Sequence, residues 1–132
     1  MKSASRIALL CLVAAALAPV AASAASPPKD LYEDNCSACH QVTGKGIKGA
    51  FPTLAASPLV NGPPAPLVTI VLNGRAGMPA FKDDINDADL AGIISYVRTS
   101  WGNKAKPVTA AEVAAIRTKA KAAQKARGLQ AH

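Results

Sequence analysis

The sequence has 132 residues, of which 50% are hydrophobic and 4% aromatic, and its formal net charge at pH 7 is +7. This length allows one domain and leaves little room for a second. The basic charge alone would suit a nucleic-acid-binding protein, but aromatic residues do not alternate with the basic ones and the chain carries an export signal, which together argue against that class.

Residues 1–24 have the pattern of a secretory signal peptide. Lys2 and Arg6 make a short basic start, Ile7 to Ala18 form an apolar run, and Ala22-Ser23-Ala24 offers small residues for cleavage. The run is too short for a mature membrane-spanning helix, and a retained membrane anchor is the alternative. We predict that cleavage after Ala24 leaves residues 25–132 and that the protein is exported to the periplasm.

The first mature segment is predicted to be a helix that leads into Cys36. Ser26 is expected to cap this helix, and Pro27 and Pro28 suit its first turn. From Gln41 to Pro58 the chain is rich in glycine and then irregular, which indicates a loop around a ligand more than a strand.

The mature chain has two cysteines, Cys36 and Cys39, followed by His40 in a C-x-x-C-H pattern. A disulfide is one interpretation in an oxidising compartment. A thioredoxin-like motif would need a βαβ pattern around it, and a zinc site would need further ligands that the sequence lacks. In the remaining interpretation, the two thiols bond to the vinyl groups of one haem and the neighbouring imidazole binds its iron. We predict haem c as the cofactor.

Met78 is the one methionine outside the signal segment, and it lies in the loop Gly77-Met78-Pro79. A lone methionine is often core filler, but this one does not belong to an apolar helical stripe. A thioether is a soft iron ligand, and a Met/His pair raises the reduction potential. We predict Met78 as the second iron ligand, because His132 at the chain terminus is a weak competitor.

Two further helices are predicted in the middle of the chain. Prolines precede the run Leu67 to Leu72, and Asn73-Gly74 follows it, which favours a short helix over a buried strand. The second helix is predicted from Asp87 to Trp101, capped by Asn86 or Asp87 and ended by Gly102. No alternating strand pattern occurs, so the predicted fold class is all-α.

A basic, alanine-rich tail follows the predicted domain. Residues 25–103 hold six Lys/Arg and seven Asp/Glu, net −1, whereas residues 104–132 hold seven Lys/Arg and one Glu, net +6. Thr109 and Glu112 form a capping box, and the alanine-rich, basic run from Val113 to Arg127 that follows, closed by Gly128, predicts a helix. We therefore divide the chain into residues 1–24, 25–103 and 104–132.

The charged tail, which lies outside the predicted haem region, is interpreted as docking an acidic redox partner or an anionic membrane surface, or as a solvated helix.

These motifs resemble the class I, mitochondrial-type c-type cytochromes. Besides C-S-A-C-H, the resemblance rests on Tyr32, on Phe51-Pro52-Thr53-Leu54, on Leu72 to Pro79 and on Asp87 to Trp101. It implies three to four core helices around one covalently bound haem. It also implies that the Pro52 carbonyl accepts a hydrogen bond from the His40 ring and that Leu54 packs on the haem. The sequence departs from the family at Gln41, where many relatives have glycine.

A narrower similarity is to the last haem domain of the cytochrome subunits of membrane-bound alcohol, aldehyde and gluconate dehydrogenases. It rests on Phe51 to Ala55, Val71 to Gly74 and Ser100 to Asn103. This similarity implies an electron acceptor linked to a dehydrogenase. Those subunits carry three haem domains and this chain carries one, so the role of a membrane subunit does not follow. The segment from Leu72 to Pro79 resembles the distal loop of the family. Arg75, because of its place at this loop, is a candidate contact of a haem propionate.

Together these features predict a monomeric one-electron carrier and not an enzyme. Iron ligated by His40 and Met78 has no open position for a substrate. The expected partners are a dehydrogenase donor and a terminal oxidase or another acceptor, and Lys45, Lys48 and Lys82 are candidate contacts. The alternatives are a fixed subunit of a dehydrogenase complex and a five-coordinate haem sensor or peroxidase.

Overall fold

The computed structural model describes residues 25–130, and every regular element in that range is a helix. The helices are α1 (Pro28–Asn35), α2 (Ser37–His40), α3 (Pro58–Asn61), α4 (Pro64–Asn73), α5 (Asp87–Thr99) and α6 (Ala110–Gln130). Strand-like pairing within these residues is limited to two isolated bridges, Ile47 with Phe51 and Arg75 with Met78. The all-α prediction is confirmed for residues 25–130. The predicted signal peptide, residues 1–24, and His132 lie outside the described residues.

Within residues 25–130, no helix combines the length and the apolar character needed to cross a membrane.

Helix α1 begins one residue later than its predicted cap implies. Its N-cap is Pro27, which makes no side-chain hydrogen bond, so the prediction that Ser26 caps the helix is wrong. Proline fixes φ near its helical value, and Pro27 has φ −56°, so this residue starts the first turn without a polar cap. The helix ends at Asn35, and Cys36 joins it to α2.

Helix α4 confirms the helical interpretation of the Leu67 to Leu72 run over the strand alternative. It begins at Pro64, because proline is well suited to the first turn, and it ends before Gly74. Leu67, Val68, Val71 and Leu72 are buried, so the apolar run packs in the core on one side of the helix.

Helix α5 forms the centre of the core. The Asn86 side chain accepts a 2.9 Å hydrogen bond from the Asp89 amide, so of the two predicted candidates Asn86, and not Asp87, is the N-cap. The helix ends at Thr99 and not at the predicted Trp101, because Ser100 is already extended, with φ −103° and ψ 164°, and Trp101 follows in the left-handed region with φ 51°. The buried positions include Leu90, Ile93, Ile94 and Val97, which recur at the i, i+3, i+4, i+7 spacing of one helix face.

Helices α1 and α5 pack against each other through small residues and an aromatic cluster. A Cβ on Gly92 would lie 3.5 Å from Pro28, which is ordinary contact distance. Tyr32 lies 5.5 Å from Tyr96 and 5.0 Å from Trp101 between ring centroids. Aromatic pairs at such distances contribute about 0.5–1.5 kcal/mol each beyond the area they bury. This cluster fixes the helix that leads into the C-x-x-C-H motif.

Helix α6 lies against α4 and α5. The predicted capping box is present: Glu112 accepts from the Thr109 amide at 2.7 Å, and Thr109 Oγ1 accepts from the Glu112 amide at 3.2 Å. Val113 is 0% exposed and Ala120 is also buried. The helix continues through Gly128 to Gln130, so the predicted stop at Gly128 is wrong: glycine lowers helix stability but ends a helix only where the backbone turns left-handed.

Residues 100–109 connect α5 to α6, and the second half of this connection runs along the side of α5. Ser95 Oγ both donates to the Val108 carbonyl and accepts from the Val108 amide, at 3.1 and 3.0 Å. Arg98 donates to the Lys106 carbonyl at 2.7 Å. Both sides of the predicted boundary at residue 103 thus contact one core, and the division of the chain at that point stays a prediction.

Candidate haem site

An apolar cavity of about 250 Å³ lies between α1, α4, α5 and the loops that follow α2 and α4. All seven residues predicted for the site line this cavity: Cys36, Cys39, His40, Pro52, Leu54, Arg75 and Met78. Most of the remaining lining is aliphatic or aromatic, and seven of these residues belong to α4 and α5. The cavity therefore brings together segments that are far apart in the sequence.

The short helix α2 positions the cysteines and the histidine. The His40 amide donates to the Cys36 carbonyl at 3.0 Å, so a single helical turn presents Cys36, Cys39 and His40 to the cavity. Both thiols are free. Burial, with a smaller contribution from Cys39, raises the pKa of the Cys36 thiol to about 11. Catalytic redox cysteines need a lowered pKa, so this environment does not favour thioredoxin-like chemistry.

His40 is held in one orientation by the loop that follows it. Its Nδ1 lies 3.0 Å from the Pro52 carbonyl oxygen. A carbonyl can only accept, so Nδ1 carries the proton and donates it. The ring is 9% exposed and faces the cavity, which leaves Nε2 as the nitrogen with a lone pair for a metal.

The Pro52 carbonyl is itself fixed by close backbone packing. Gly46 has φ +64°, and a Cβ there would lie 2.3 Å from the Phe51 carbonyl oxygen. The Gly46 amide also donates to the His40 carbonyl at 3.0 Å. A glycine at this position lets the loop return to the histidine, and this return sets the His40–Pro52 hydrogen bond.

Met78 lies in a tight turn that closes over the C-terminal end of α4. The Arg75 and Met78 backbones exchange two hydrogen bonds, of 3.2 and 3.0 Å. After the turn, the Phe81 amide donates to the Val71 carbonyl at 3.1 Å, which ties the loop back to α4. Gly74 has φ +72°, and a Cβ there would lie 2.6 Å from the Met78 carbonyl oxygen. The position of Met78 thus depends on glycine at residue 74.

Leu54 and Arg75 occupy different environments within the site. Leu54 is partly buried and packs against the core cluster, whereas Arg75 is exposed. The Leu54 carbonyl accepts a 2.9 Å hydrogen bond from the Asn103 side chain. Contact of Leu54 with haem and of Arg75 with a propionate stay predictions.

Sequence reasoning missed Asn103 as a supporting residue. Asn103 is 4% exposed, and its amide nitrogen also donates to the Val97 carbonyl at 2.8 Å, while its oxygen accepts from Asn61 at 2.8 Å. It thereby joins the loop of Leu54 to the end of α5. The only sequence signal was the Ser100 to Asn103 segment, where the similarity to dehydrogenase subunits includes this asparagine without indicating its contacts.

The charged residues near the cavity fall into two groups. Lys45 and Lys48 are exposed and line a shallow groove with the Phe51 to Thr53 segment, whereas Lys82 is paired with its neighbour Asp83. The tail was interpreted as lying outside the predicted haem region. Helix α6 contacts α4, and Gln124 donates a 2.9 Å hydrogen bond to Asn73, so part of the tail lies just before the Met78 loop, while no basic residue of α6 lines the cavity.

The residues that line the cavity fit haem c. Two free thiols are three residues apart on one helical turn, and a buried imidazole keeps one nitrogen available for a metal. A thioether lies on the lining of the same cavity, and the other walls are mostly apolar, as a largely apolar macrocycle requires.

Comparisons with known proteins agree with this chemistry. The sequence model of the family described as cytochrome c oxidase, cbb3-type, subunit III matches residues 23–97. The chain is 33% identical over 108 residues to the cytochrome c subunit of a quinone-type alcohol dehydrogenase from Gluconacetobacter polyoxogenes, covering 72% of this chain and 23% of that subunit. It is 38% identical over 101 residues to the gluconate 2-dehydrogenase cytochrome c subunit of Pantoea cypripedii, covering 66% and 23%.

A shorter relative is matched over most of its length. The chain is 33% identical over 104 residues to cytochrome c-552 of Thermus thermophilus, covering 64% of this chain and 79% of that protein. By contrast, the chain spans only 23% of the length of the two dehydrogenase subunits. The predicted resemblance to c-type cytochromes is confirmed: the chain belongs to the cytochrome c family that this model describes, with covalently bound haem c as the cofactor.

Proposed function

We propose that the protein is an exported, periplasmic monohaem cytochrome that carries single electrons from a dehydrogenase-type donor to a respiratory acceptor. The observation that carries the proposal is that His40 and Met78 line the same cavity as both thiols. Two ligands from the chain would leave no open position for a substrate, and this suits an electron carrier more than an enzyme. Haem c, when bound, supplies one-electron cycling between Fe(III) and Fe(II).

In this proposal each site residue has one task. Cys36 and Cys39 would form the two covalent links, and His40 would ligate through Nε2, because Nδ1 is engaged by Pro52 at 3.0 Å. Met78 would provide the second iron ligand. The hydrogen bond to Pro52 would keep the imidazole from rotating and would increase its basicity as a ligand.

The apolar lining supports electron transfer in two ways. Aliphatic side chains from α4 and α5, together with Tyr32, Phe51 and Phe81 from other segments, make most of the cavity wall apolar and would exclude water from it. A low local dielectric disfavours the more highly charged oxidised state, which raises the reduction potential together with the Met ligand. A rigid, dry site also needs little rearrangement when the charge changes.

The proposed donors follow from the relatives, whose names describe subunits of alcohol and gluconate dehydrogenases. Contact with such a partner would be small and transient, because interfaces of electron-transfer pairs lie at the low end of the size range. Two basic surfaces are available for it: Lys45 with Lys48, and the exposed Lys119, Lys121, Lys125 and Arg127 of α6. Attraction between such surfaces and an acidic partner would weaken as salt is added.

Stopped-flow reduction of the purified oxidised protein by a quinone-type alcohol dehydrogenase and its substrate tests the proposal. We expect one electron per protein, a rate that falls as ionic strength rises, and no turnover of hydrogen peroxide. Peroxide turnover that matches or exceeds the rate of reduction by the dehydrogenase would contradict the proposal and favour the peroxidase alternative.

Charge reversal then separates the two basic surfaces. The double variants Lys45→Glu/Lys48→Glu and Lys119→Glu/Lys125→Glu carry the same change in net charge, and all four side chains are exposed. The variant with the slower reduction identifies the docking surface, whereas equal rates for both variants and the wild type would exclude electrostatic docking. Deletion of α6 is a poorer test, since Val113 is part of the core.

A further inference from the structure

Helix α6 contacts the chain on both sides of the loop that carries Met78. Before the loop, Gln124 Nε2 donates to Asn73 Oδ1 at 2.9 Å. After the loop, Arg117 contacts the segment 82–87 through three of its nitrogens. The family match ends at residue 97, so these contacts come from a part of the chain outside it.

Arg117 makes the stronger of the two attachments. Its Nε donates to Asp87 Oδ1 at 2.7 Å, one Nη donates to the Ile85 carbonyl at 2.8 Å, and the other Nη donates to the Lys82 carbonyl. The side chain is 13% exposed, so this ion pair is only weakly screened by solvent. A planar guanidinium matches several fixed acceptors at once, which an ammonium group cannot do.

The loop between these attachments has few contacts of its own. Residues 75–77 are exposed and Met78 is only partly buried. The turn is closed by the Arg75–Met78 backbone pair, and Phe81 and Lys82 donate to the end of α4 at 3.1 Å each. Segments with few buried contacts open locally at low free-energy cost, so the anchoring of both flanks determines how often this loop opens.

We propose that Arg117 is a positioning residue that, with Gln124, makes α6 a clasp for the Met78 loop. The clasp keeps the loop closed over the cavity and so keeps Met78 at the iron. The second part of this inference rests on the proposed function, in which Met78 is the axial ligand. Helix α6 then has a role in the haem site as well as in the core.

Two measurements on the holoprotein test the clasp. Native-state hydrogen exchange of the Met78, Phe81 and Lys82 amides reports loop opening directly. Imidazole binding to the oxidised protein reports opening of the axial position, because imidazole binds only when the methionine has left. Loss of hydrogen bonds to a charged group should speed exchange at these amides about tenfold in Arg117→Ala, and tighten imidazole binding about tenfold.

Matched variants separate the clasp from a general loss of stability. Val113→Ala removes packing from the buried face of α6 but keeps the hydrogen bonds of Arg117 and Gln124, so it should lower the melting temperature without changing exchange of the three amides under native conditions. Gln124→Ala should give a smaller increase than Arg117→Ala. Arg117→Lys keeps the charge but lacks the planar guanidinium that reaches several acceptors at once. Its amides should therefore exchange more slowly than in Arg117→Ala but faster than in the wild type.

The outcomes also separate the clasp from the proposed function. If the three amides exchange no faster in Arg117→Ala than in Val113→Ala, the clasp is wrong, whatever the iron ligands are. A second outcome is faster exchange of the amides in Arg117→Ala, as expected, with imidazole binding to the wild-type protein as tightly as to an iron with a vacant position. In that case the loop is clasped and the assignment of Met78 as a ligand is wrong. Tenfold changes in both readouts support both parts.

Discussion

Substituting Gly74 by alanine should displace the Met78 loop. Gly74 has φ +72° and ψ 167°, a combination that residues with a side chain adopt only at a cost of about 1–3 kcal/mol. The new Cβ would also lie 2.6 Å from the Met78 carbonyl oxygen, 3.0 Å from the Ala80 amide nitrogen and 3.0 Å from the Pro79 carbonyl carbon. All three atoms belong to the backbone, so no flexible side chain can move aside.

The combined cost should be about 3 kcal/mol, which for a domain of this size lowers the melting temperature by roughly 10 °C or more. The strain is relieved only if the loop moves away from α4. With Met78 as the proposed iron ligand, part of the cost should therefore appear as loss of Met78 from the iron. We expect a weaker sulfur-to-iron absorption band in the far red and faster carbon monoxide binding by the reduced protein.

The matched control is Gly77→Ala, three residues further along the same loop. A Cβ on Gly77 has no heavy atom within 4 Å and its φ is not in the left-handed region. This variant should keep the wild-type spectrum and lie within about 0.5 kcal/mol of wild-type stability. If Gly74→Ala behaves as Gly77→Ala does, the dependence of the Met78 position on residue 74 is refuted.

Three further predictions concern the support of the site. Gln41 has φ 62° and ψ 157°, a conformation that is strained for a residue with a side chain and free of strain for glycine. Gln41→Gly should therefore raise the free energy of unfolding in urea by about 1 kcal/mol without changing the absorption spectrum, and a lower free energy of unfolding would contradict the strain argument. Arg98→Ala should cost about 3 kcal/mol in thermal unfolding, since its guanidinium donates to the Val60, Gly62 and Lys106 carbonyls; a cost below that of the exposed Arg75→Ala would refute this role. Tyr32→Phe should cost about 1 kcal/mol at neutral pH, because the hydroxyl donates to the Gln41 carbonyl at 2.7 Å. Burial raises the pKa of the Tyr32 phenol above its ordinary value of 10.0, so its neutral form stabilises the fold below that pH and the stability is lost as pH rises further. The free energy of unfolding should therefore fall more steeply with pH in the wild type than in Tyr32→Phe above pH 10.0. Parallel dependences of the two proteins on pH would contradict the raised pKa of Tyr32.

Features with a local physical cause could be predicted from the sequence. Proline entry and glycine exit identified α4, the Asn86 cap identified the start of α5, and the Thr109–Glu112 capping box identified the start of α6. Each of these signals involves residues within a few positions of one another, so it can be recognised in the sequence without knowledge of the fold. Cys36, Cys39, His40 and Met78 could be placed at one site because C-x-x-C-H and the single loop methionine are rare patterns whose chemistry restricts their use.

Features that depend on contacts between distant segments could not be predicted in the same way. Arg98 and Arg117 appeared only as charges in the sequence, yet each donates to backbone carbonyls about 35 residues away along the chain. Every residue has a backbone carbonyl, so the residue type does not show which carbonyls accept these hydrogen bonds. The packing of α6 was hidden for a related reason: its stripe is shallow, and only Val113 and Ala120 are buried, so its place on α4 and α5 comes from Arg117 and Gln124 as much as from apolar residues.

The most direct test of the central claim is the absorption spectrum of the wild-type holoprotein, oxidised and reduced, before and after addition of carbon monoxide. Ligation by both His40 and Met78 predicts a low-spin spectrum with a far-red sulfur-to-iron band, unchanged by carbon monoxide, and loss of that band in Met78→Ala. A high-spin spectrum that shifts with carbon monoxide in the wild-type protein would contradict the claim and would make a gas sensor or a peroxidase the better account.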